Sequence, residues 1–174
     1  GPPGIGALLI KRGNRIEPFM VGGDQERARR AGLENIAGAI AFGAACEELC
    51  TTLDDEAARN RAQTEAALTA ATKINGVVGY GDPVARVPHI VCMGVAGVEA
   101  EAVLLGLDQA GVAAHSGSAC SSEALEPSPV LEAMDVDAQR SLRVSTGWST
   151  SDADIDAFRA AFPKVVERLR ALGA

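Results

Sequence analysis

An α/β fold follows from three features of the 174-residue sequence. One stretch of helical periodicity covers residues 35–71, short apolar runs alternate with helical patterns from residue 74 onward, and glycine, proline and serine punctuate the junctions. With 47% hydrophobic and 22% charged residues the chain falls in the ordinary globular class rather than the disordered one. Aromatics make up only 3%, so the core has to be built from Ala, Val, Leu and Ile. A chain of this size buries ~70% of its unfolded surface. The net charge of −7 argues against a nucleic-acid partner, which selects a basic face. No apolar run approaches the ~18 residues of a membrane span, and no signal-peptide pattern opens the chain. The expectation is a cytoplasmic protein with neither nucleic acid nor membrane as partner.

The first residues, Gly1-Pro2-Pro3-Gly4-Ile5-Gly6, form a tight turn ahead of the apolar run Ala7-Leu8-Leu9-Ile10, which reads as a buried strand. A buried strand needs partners and few follow nearby, so the chain reads as the later part of a longer one. Residues 16–20 read as a short return segment. Gly22-Gly23 followed by Arg27, Arg29 and Arg30 suits either an anion-facing loop or a solvated loop ahead of a helix. Ile36, Ile40, Gly43, Cys46, Leu49 or Cys50, Leu53 and Ala57 then recur at spacings of three and four, the stripe of an amphipathic helix. Such a helix runs ~50 Å and reads as a bridge between two domains. Thr51-Thr52 and Asp54-Asp55 are the points where it would bend or break. Beyond it the pattern gives strands at 77–78, 89–95 and 112–114 and a helix over 98–110 closed by Gly111 at C′. A short helix capped by Ser128 with Pro129 at its first position follows. The alternating run Ser141-Leu142-Arg143-Val144-Ser145 puts Arg143 on the face opposite Leu142 and Val144. The last helix starts at Ser151 with Asp154 as its capping-box partner, and Pro163 is expected to kink it. The boundaries that result are 1–34, 35–73 and 74–174.

The chemistry concentrates in His115-Ser116-Gly117-Ser118-Ala119-Cys120-Ser121-Ser122. Small residues surround the cysteine and offer no bulk to shield its sulfur, so it looks presented rather than buried. A free thiol is only a few per cent ionised at neutral pH, so Cys120 needs a cation, a helix N-terminus or a substrate proton acceptor to become a strong nucleophile. His115 and the helix at Ser128 are the near candidates. A Cys/His hydrolase is disfavoured, because no orienting Asn or Asp stands at telling spacing. Arg143 is costly on a packed strand unless it meets an anion, and its planar fork suits a carboxylate; a domestic salt bridge is the competing explanation. Cys46 and Cys50 share one helix face and are expected in core packing, since no second Cys/His pair offers metal-ligand spacing. Cys92, in an apolar strand, is expected to be buried filler.

Ser116-Gly117-Ser118-Ala119-Cys120-Ser121-Ser122, followed by Leu125-Glu126-Pro127-Ser128, resembles the active-site loop of group I (NifS/IscS-type) cysteine desulfurases. Gly22-Gly23 with Gln25-Glu26-Arg27, Glu34-Asn35 and Ser141-Leu142-Arg143-Val144-Ser145 match that family in order, and the resemblance covers essentially the whole chain. It implies a pyridoxal 5′-phosphate (PLP) enzyme of the aminotransferase class V fold, working as a homodimer. This chain would supply the end of the large domain (1–34), the connecting helix (35–73) and the small domain (74–174). The family converts L-cysteine to L-alanine and passes sulfur on as a persulfide to an acceptor protein, for iron–sulfur clusters or thio-modification. Carried over, Cys120 is the nucleophile that attacks the substrate sulfur, Arg143 binds the substrate carboxylate, and Gly22, Gly23 and Arg27 face the cofactor phosphate.

Two departures accompany the resemblance. The family's PLP-binding lysine lies just ahead of the residues that match Gly1, so the resemblance places the cofactor's anchor outside this chain. Leu33 stands where the family often has a threonine whose hydroxyl reaches the phosphate of the other subunit, and a leucine cannot hydrogen-bond a phosphate. Two alternatives stay open on the sequence: a non-catalytic sulfur-carrier module that keeps the thiol loop, and a selenocysteine lyase of the same fold.

Overall fold

The computed structural model describes residues 2–117 and 128–173. The chain divides into two compact units, residues 1–54 and residues 55–174. The division falls within one helix, Ile36–Ala71 (α2), which runs through Thr51-Thr52 and Asp54-Asp55 without interruption. Both threonine hydroxyls bond back to the Glu48 carbonyl, which satisfies them without opening the helix.

The first unit contains no strand among its described residues. The run at 7–10, expected to be a buried strand, is irregular, with Leu8 76% and Leu9 95% exposed. A strand exists only by pairing, and no described residue offers these four a ladder. Gln25–Ala28 (α1) is a single turn in which Glu26, Arg27 and Ala28 take φ of +51°, +58° and +59°. Left-handed backbone costs non-glycine residues ~1–2 kcal/mol each, so this turn is a local store of strain. The helix stripe is legible but unburied: Ile36, Ile40, Leu49 and Leu53 are exposed, and so are Cys46 and Cys50. This corrects the expectation of core packing for the two cysteines, because nothing in the described chain covers that face. An 18-residue window of α2 also reaches a mean hydropathy of 1.3, long and apolar enough to cross a membrane by length and composition. This corrects the expectation that no apolar run approaches a membrane span: Glu47 and Glu48 interrupt the stretch without lowering its mean below that level.

The second unit is a four-stranded antiparallel sheet with helices on one face. Val77–Tyr80 (β1), Ile90–Val95 (β2), His115–Ser116 (β3) and Ser141–Ser145 (β4) lie in the order β1-β2-β4-β3. Period-two alternation sends Val77, Val91, Met93, Val95, Leu142 and Val144 to one face. There they meet Ala67 and Ala71 at the end of α2, Val103 and Leu107 of Ala100–Gln109 (α3), and Ile155, Phe158, Phe162 and Val166 of Asp152–Leu172 (α5). Pro129–Ala133 (α4) is the remaining helix.

The helix ends are where local chemistry predicts them. Gly111, with φ +77°, terminates α3 in a Schellman motif: its N–H bonds to the Asp108 carbonyl and that of Val112 to Leu107. Ser128 Oγ accepts from the Leu131 N–H, with Pro129 at the first helical position of α4. Ser151 and Asp154 form the capping box of α5, which continues through Pro163 to Leu172. The third strand is displaced from 112–114 to His115–Ser116, because β4 offers ladder partners only there.

Candidate active site

Arg143 sits on the face of β4 that the helices do not cover, as the alternation of its neighbours requires. Register then fixes its company. Tyr80 pairs with Cys92, Cys92 with Arg143, and Arg143 with His115, so these four side chains form one cross-strand row. Directly opposed residues of an antiparallel pair stand ~4.5–5.5 Å apart at Cβ. This corrects the reading of Cys92 as buried filler: it is half-buried and shares a face with the arginine.

The Arg143 guanidinium makes no hydrogen bond or ion pair among the described residues, and its Nε is buried without a partner. A domestic salt bridge is thereby excluded among those residues. A buried donor left unmade is expensive, the more so on a cation, so the position favours an incoming anion. The neighbours in the row do not compete for it. Burial pushes the Cys92 thiol above its usual range, against the opposing pull of the Met93 backbone hydrogen bond and of Arg143 itself. Burial, followed by the charges of Asp137 and Cys92, pushes the Tyr80 phenol up as well. Both groups keep their protons at neutral pH, so neither is a counter-ion to the arginine.

Cys120 and residues 118–127 lie outside the described residues, but the segment's two flanks are defined. Gly117 N–H donates to the Ser141 carbonyl at 3.2 Å, prolonging the β3–β4 ladder by one bond. A Cβ at Gly117 would stand 2.3 Å from Ser141 Oγ and 2.5 Å from Leu131 Cδ1. Only glycine fits there, and the contact holds the residue before the segment against the helix that follows it. The described residues on either side of the segment are therefore fixed, Gly117 against Ser141 of β4 and Ser128 at the N-terminus of α4.

Gly22, Gly23, Arg27 and Leu33 belong to the first unit. The N–H groups of Gly22 and Gly23 make no hydrogen bond among the described residues, and Arg27, Arg29 and Arg30 are exposed. Free backbone donors beside guanidinium groups suit a phosphate. Leu33 is 89% exposed and its side chain contributes no donor. Among the described residues no group of three or more His, Cys, Asp or Glu side chains is placed to hold a metal ion. Neither Tyr80 nor the pairing of Cys92 and His115 with Arg143 is legible in the sequence alone. The alternation Val91-Cys92-Met93 would have put Cys92 on the arginine's face, whereas the register that aligns the row leaves no local mark.

Comparison with known proteins places these features in a family. The family described as aminotransferase class-V matches residues 1–158. A cysteine desulfurase of Klebsiella pneumoniae is 43% identical over 177 residues, covering 99% of this chain and 44% of that protein. One of Trichormus azollae is 44% identical over 178 residues, covering 98% of this chain and 44% of that protein. The chain thus spans about half the length of the curated relatives it matches. Among solved structures, a NifS-like protein from Rickettsia africae superposes with a TM-score of 0.71 at 27% identity, covering 88% of this chain and 41% of that one.

Proposed function

Because the chain belongs to the aminotransferase class V family, we propose that it forms part of a cysteine desulfurase, which converts L-cysteine to L-alanine and carries the released sulfur as a persulfide on Cys120. The observation that supports this most is Arg143: a half-buried cation without a counter-ion among the described residues, on the strand that ladders to the residues leading into Cys120. It would take the substrate carboxylate through its planar fork. The Cys120 thiolate would then attack the substrate sulfur. The S–S bond forms as the C–S bond breaks, and the electron pair left on carbon takes up a proton to give alanine.

Pyridoxal 5′-phosphate, when bound, supplies the electron sink that such carbon chemistry requires. The residues of this chain that would face it are Gly22 and Gly23 through their free N–H groups and Arg27 through its charge, with Leu33 contributing no hydrogen bond. On this reading α2 within residues 35–73 is a connecting helix. Its exposed apolar face is packing surface of a cytoplasmic homodimer rather than a lipid-facing span, and the persulfide sulfur passes to an acceptor protein.

The test uses this chain joined to the segment that precedes the matched part in its relatives. That protein is expected to form alanine from L-cysteine, with Cys120 one sulfur atom heavier by mass spectrometry. Cys120→Ser should abolish both the adduct and turnover while leaving the cofactor's absorbance in place. Arg143→Lys, which keeps charge but loses the fork, should raise KM by roughly tenfold or more. Turnover that survives Cys120→Ser removes the thiol from its role. A sulfur adduct without alanine formation returns the chain to the class of sulfur carriers.

A further inference from the structure

The Arg143 row contains a second group able to meet an anion. His115 is the direct ladder partner of Arg143 and is half-buried on the same open face. Its Nδ1 is taken up locally: it lies 3.3 Å from the Ser116 carbonyl oxygen and 3.5 Å from Ser116 Oγ. That leaves Nε2 without a partner among the described residues. On the other flank of Arg143, Cys92 and Tyr80 hold their protons, so neither supplies the negative charge that would close the site from within.

We propose that His115 is a second ligand for the anion held by Arg143, so that the substrate carboxylate is gripped from two adjacent strands, by the guanidinium of one and the imidazole Nε2–H of the other. The proposal rests on the reading of Arg143 as the carboxylate-binding residue. The donor inventory allows it. An ionised carboxylate accepts at about four lone-pair positions, of which a bidentate arginine occupies two. The imidazole need not be charged to take a third. The two local contacts demand opposite tautomers: the Ser116 carbonyl oxygen at 3.3 Å accepts from an Nδ1–H, whereas the Ser116 hydroxyl at 3.5 Å donates to a bare Nδ1, and a bound anion selects the second arrangement, in which the neutral ring carries its proton on Nε2. The Cβ separation of directly opposed residues, ~4.5–5.5 Å, brings both side chains to one small anion rather than two. Because His115 stands five residues before Cys120, a carboxylate gripped there is fixed at the root of the strand that leads into the thiol segment.

The chain has two histidines, His89 and His115, so their ring signals are readily distinguished, and exposed His89 serves as the internal control. L-alanine is titrated into this chain joined to the segment that precedes the matched part in its relatives, isotope-labelled only within the 174 residues, with L-alaninamide as the carboxylate-free comparison. Alanine is expected to move the His115 ring resonances and the Arg143 Nε–H while leaving His89 in place, and the amide to move none of them. His115→Ala should weaken alanine binding by about tenfold. His115→Gln, whose amide nitrogen takes the place of Nε2, should recover most of that loss and also guards against a folding artefact in the alanine variant. If Arg143→Ala abolishes binding while His115→Ala leaves the dissociation constant unchanged, the two-strand grip is wrong and the arginine reading stands. Should Arg143→Ala leave binding unchanged, or should the unaltered chain bind no alanine at millimolar concentrations, both readings fall.

Discussion

Residues 1–54 and residues 55–174 draw on the same apolar alphabet and use it differently. In the second region Met93, Val103, Leu107, Leu142 and Val166 are wholly buried, each with partners from another element. In the first, Leu8, Leu9, Phe19, Val21 and Leu33 are 76–101% exposed, and no described residue is buried. The difference is not one of hydrophobicity, since Ala7-Leu8-Leu9-Ile10 is as apolar as Ile90-Val91-Cys92-Met93. It is one of pairing. β2 lies between β1 and β4, which saturate its backbone and leave its side chains free to pack, whereas residues 7–10 have no ladder partner among the described residues. A hydrophobic run becomes core only where the backbone is first accounted for.

The sharpest way to break that comparison is to truncate one phenylalanine in each region. Phe162 is 1% exposed and stacks on Phe158 with ring centroids 5.1 Å apart, so Phe162→Ala should cost about 3–5 kcal/mol in a urea titration. Phe19 is fully exposed, and Phe19→Ala should change stability by no more than about 0.5 kcal/mol. Equal losses would show that the first region packs in a way its exposure does not reveal.

A second pair of variants applies one chemical change to both regions and expects opposite signs. A Cβ on Gly43, within α2, meets nothing within 4 Å, so Gly43→Ala should stabilise the helix by roughly 0.5–1 kcal/mol. A Cβ on Gly106, in α3, would stand 2.5 Å from Val165 Cγ1 of α5. The same propensity gain is available there, but overpacking costs about 1–3 kcal/mol and should prevail. Thermal melts of the two variants test this directly; a stabilising Gly106→Ala would mean that α3 and α5 part without loss.

The same division explains what the sequence made legible. Ser128, Ser151 with Asp154, and Gly111 were readable because each cap satisfies backbone groups within one turn of itself. Arg143 was readable because alternation needs only its two neighbours. The true third strand was not, since β3 forms where β4 reaches rather than where residues 112–114 are most apolar. Nor was the Tyr80–Cys92–Arg143–His115 row, whose members lie 12, 51 and 28 positions apart in sequence and meet only through strand register. The exposure of Cys46 and Cys50 escaped for the related reason that a helical stripe announces an apolar face but not what covers it.

The smallest effect sharpens the comparison from the side of charge. Among the described residues of 1–54 no carboxylate accepts a hydrogen bond, whereas in the second region Asp154 accepts from both the Ser151 N–H and the Ser151 hydroxyl at 2.8 Å. The backbone N–H of Ser151, and then its hydroxyl, hold the Asp154 carboxyl below its ordinary value. The unfolded chain therefore takes up the proton first on acidification. The capping contribution is present in full above the usual aspartate value of about 3.9 and is lost as pH falls through it towards the lower folded value. Asp154→Asn keeps the shape of the box without the titrating group. The variant should be slightly less stable than the parent near neutrality, and the gap should close as pH falls through that window, followed by circular dichroism of the helix signal. A gap that persists unchanged into acid would assign the difference to packing of α5 rather than to its cap, and would leave the acid sensitivity of residues 55–174 to other carboxylates such as Asp82, which accepts from the Val84 and Ala85 N–H groups.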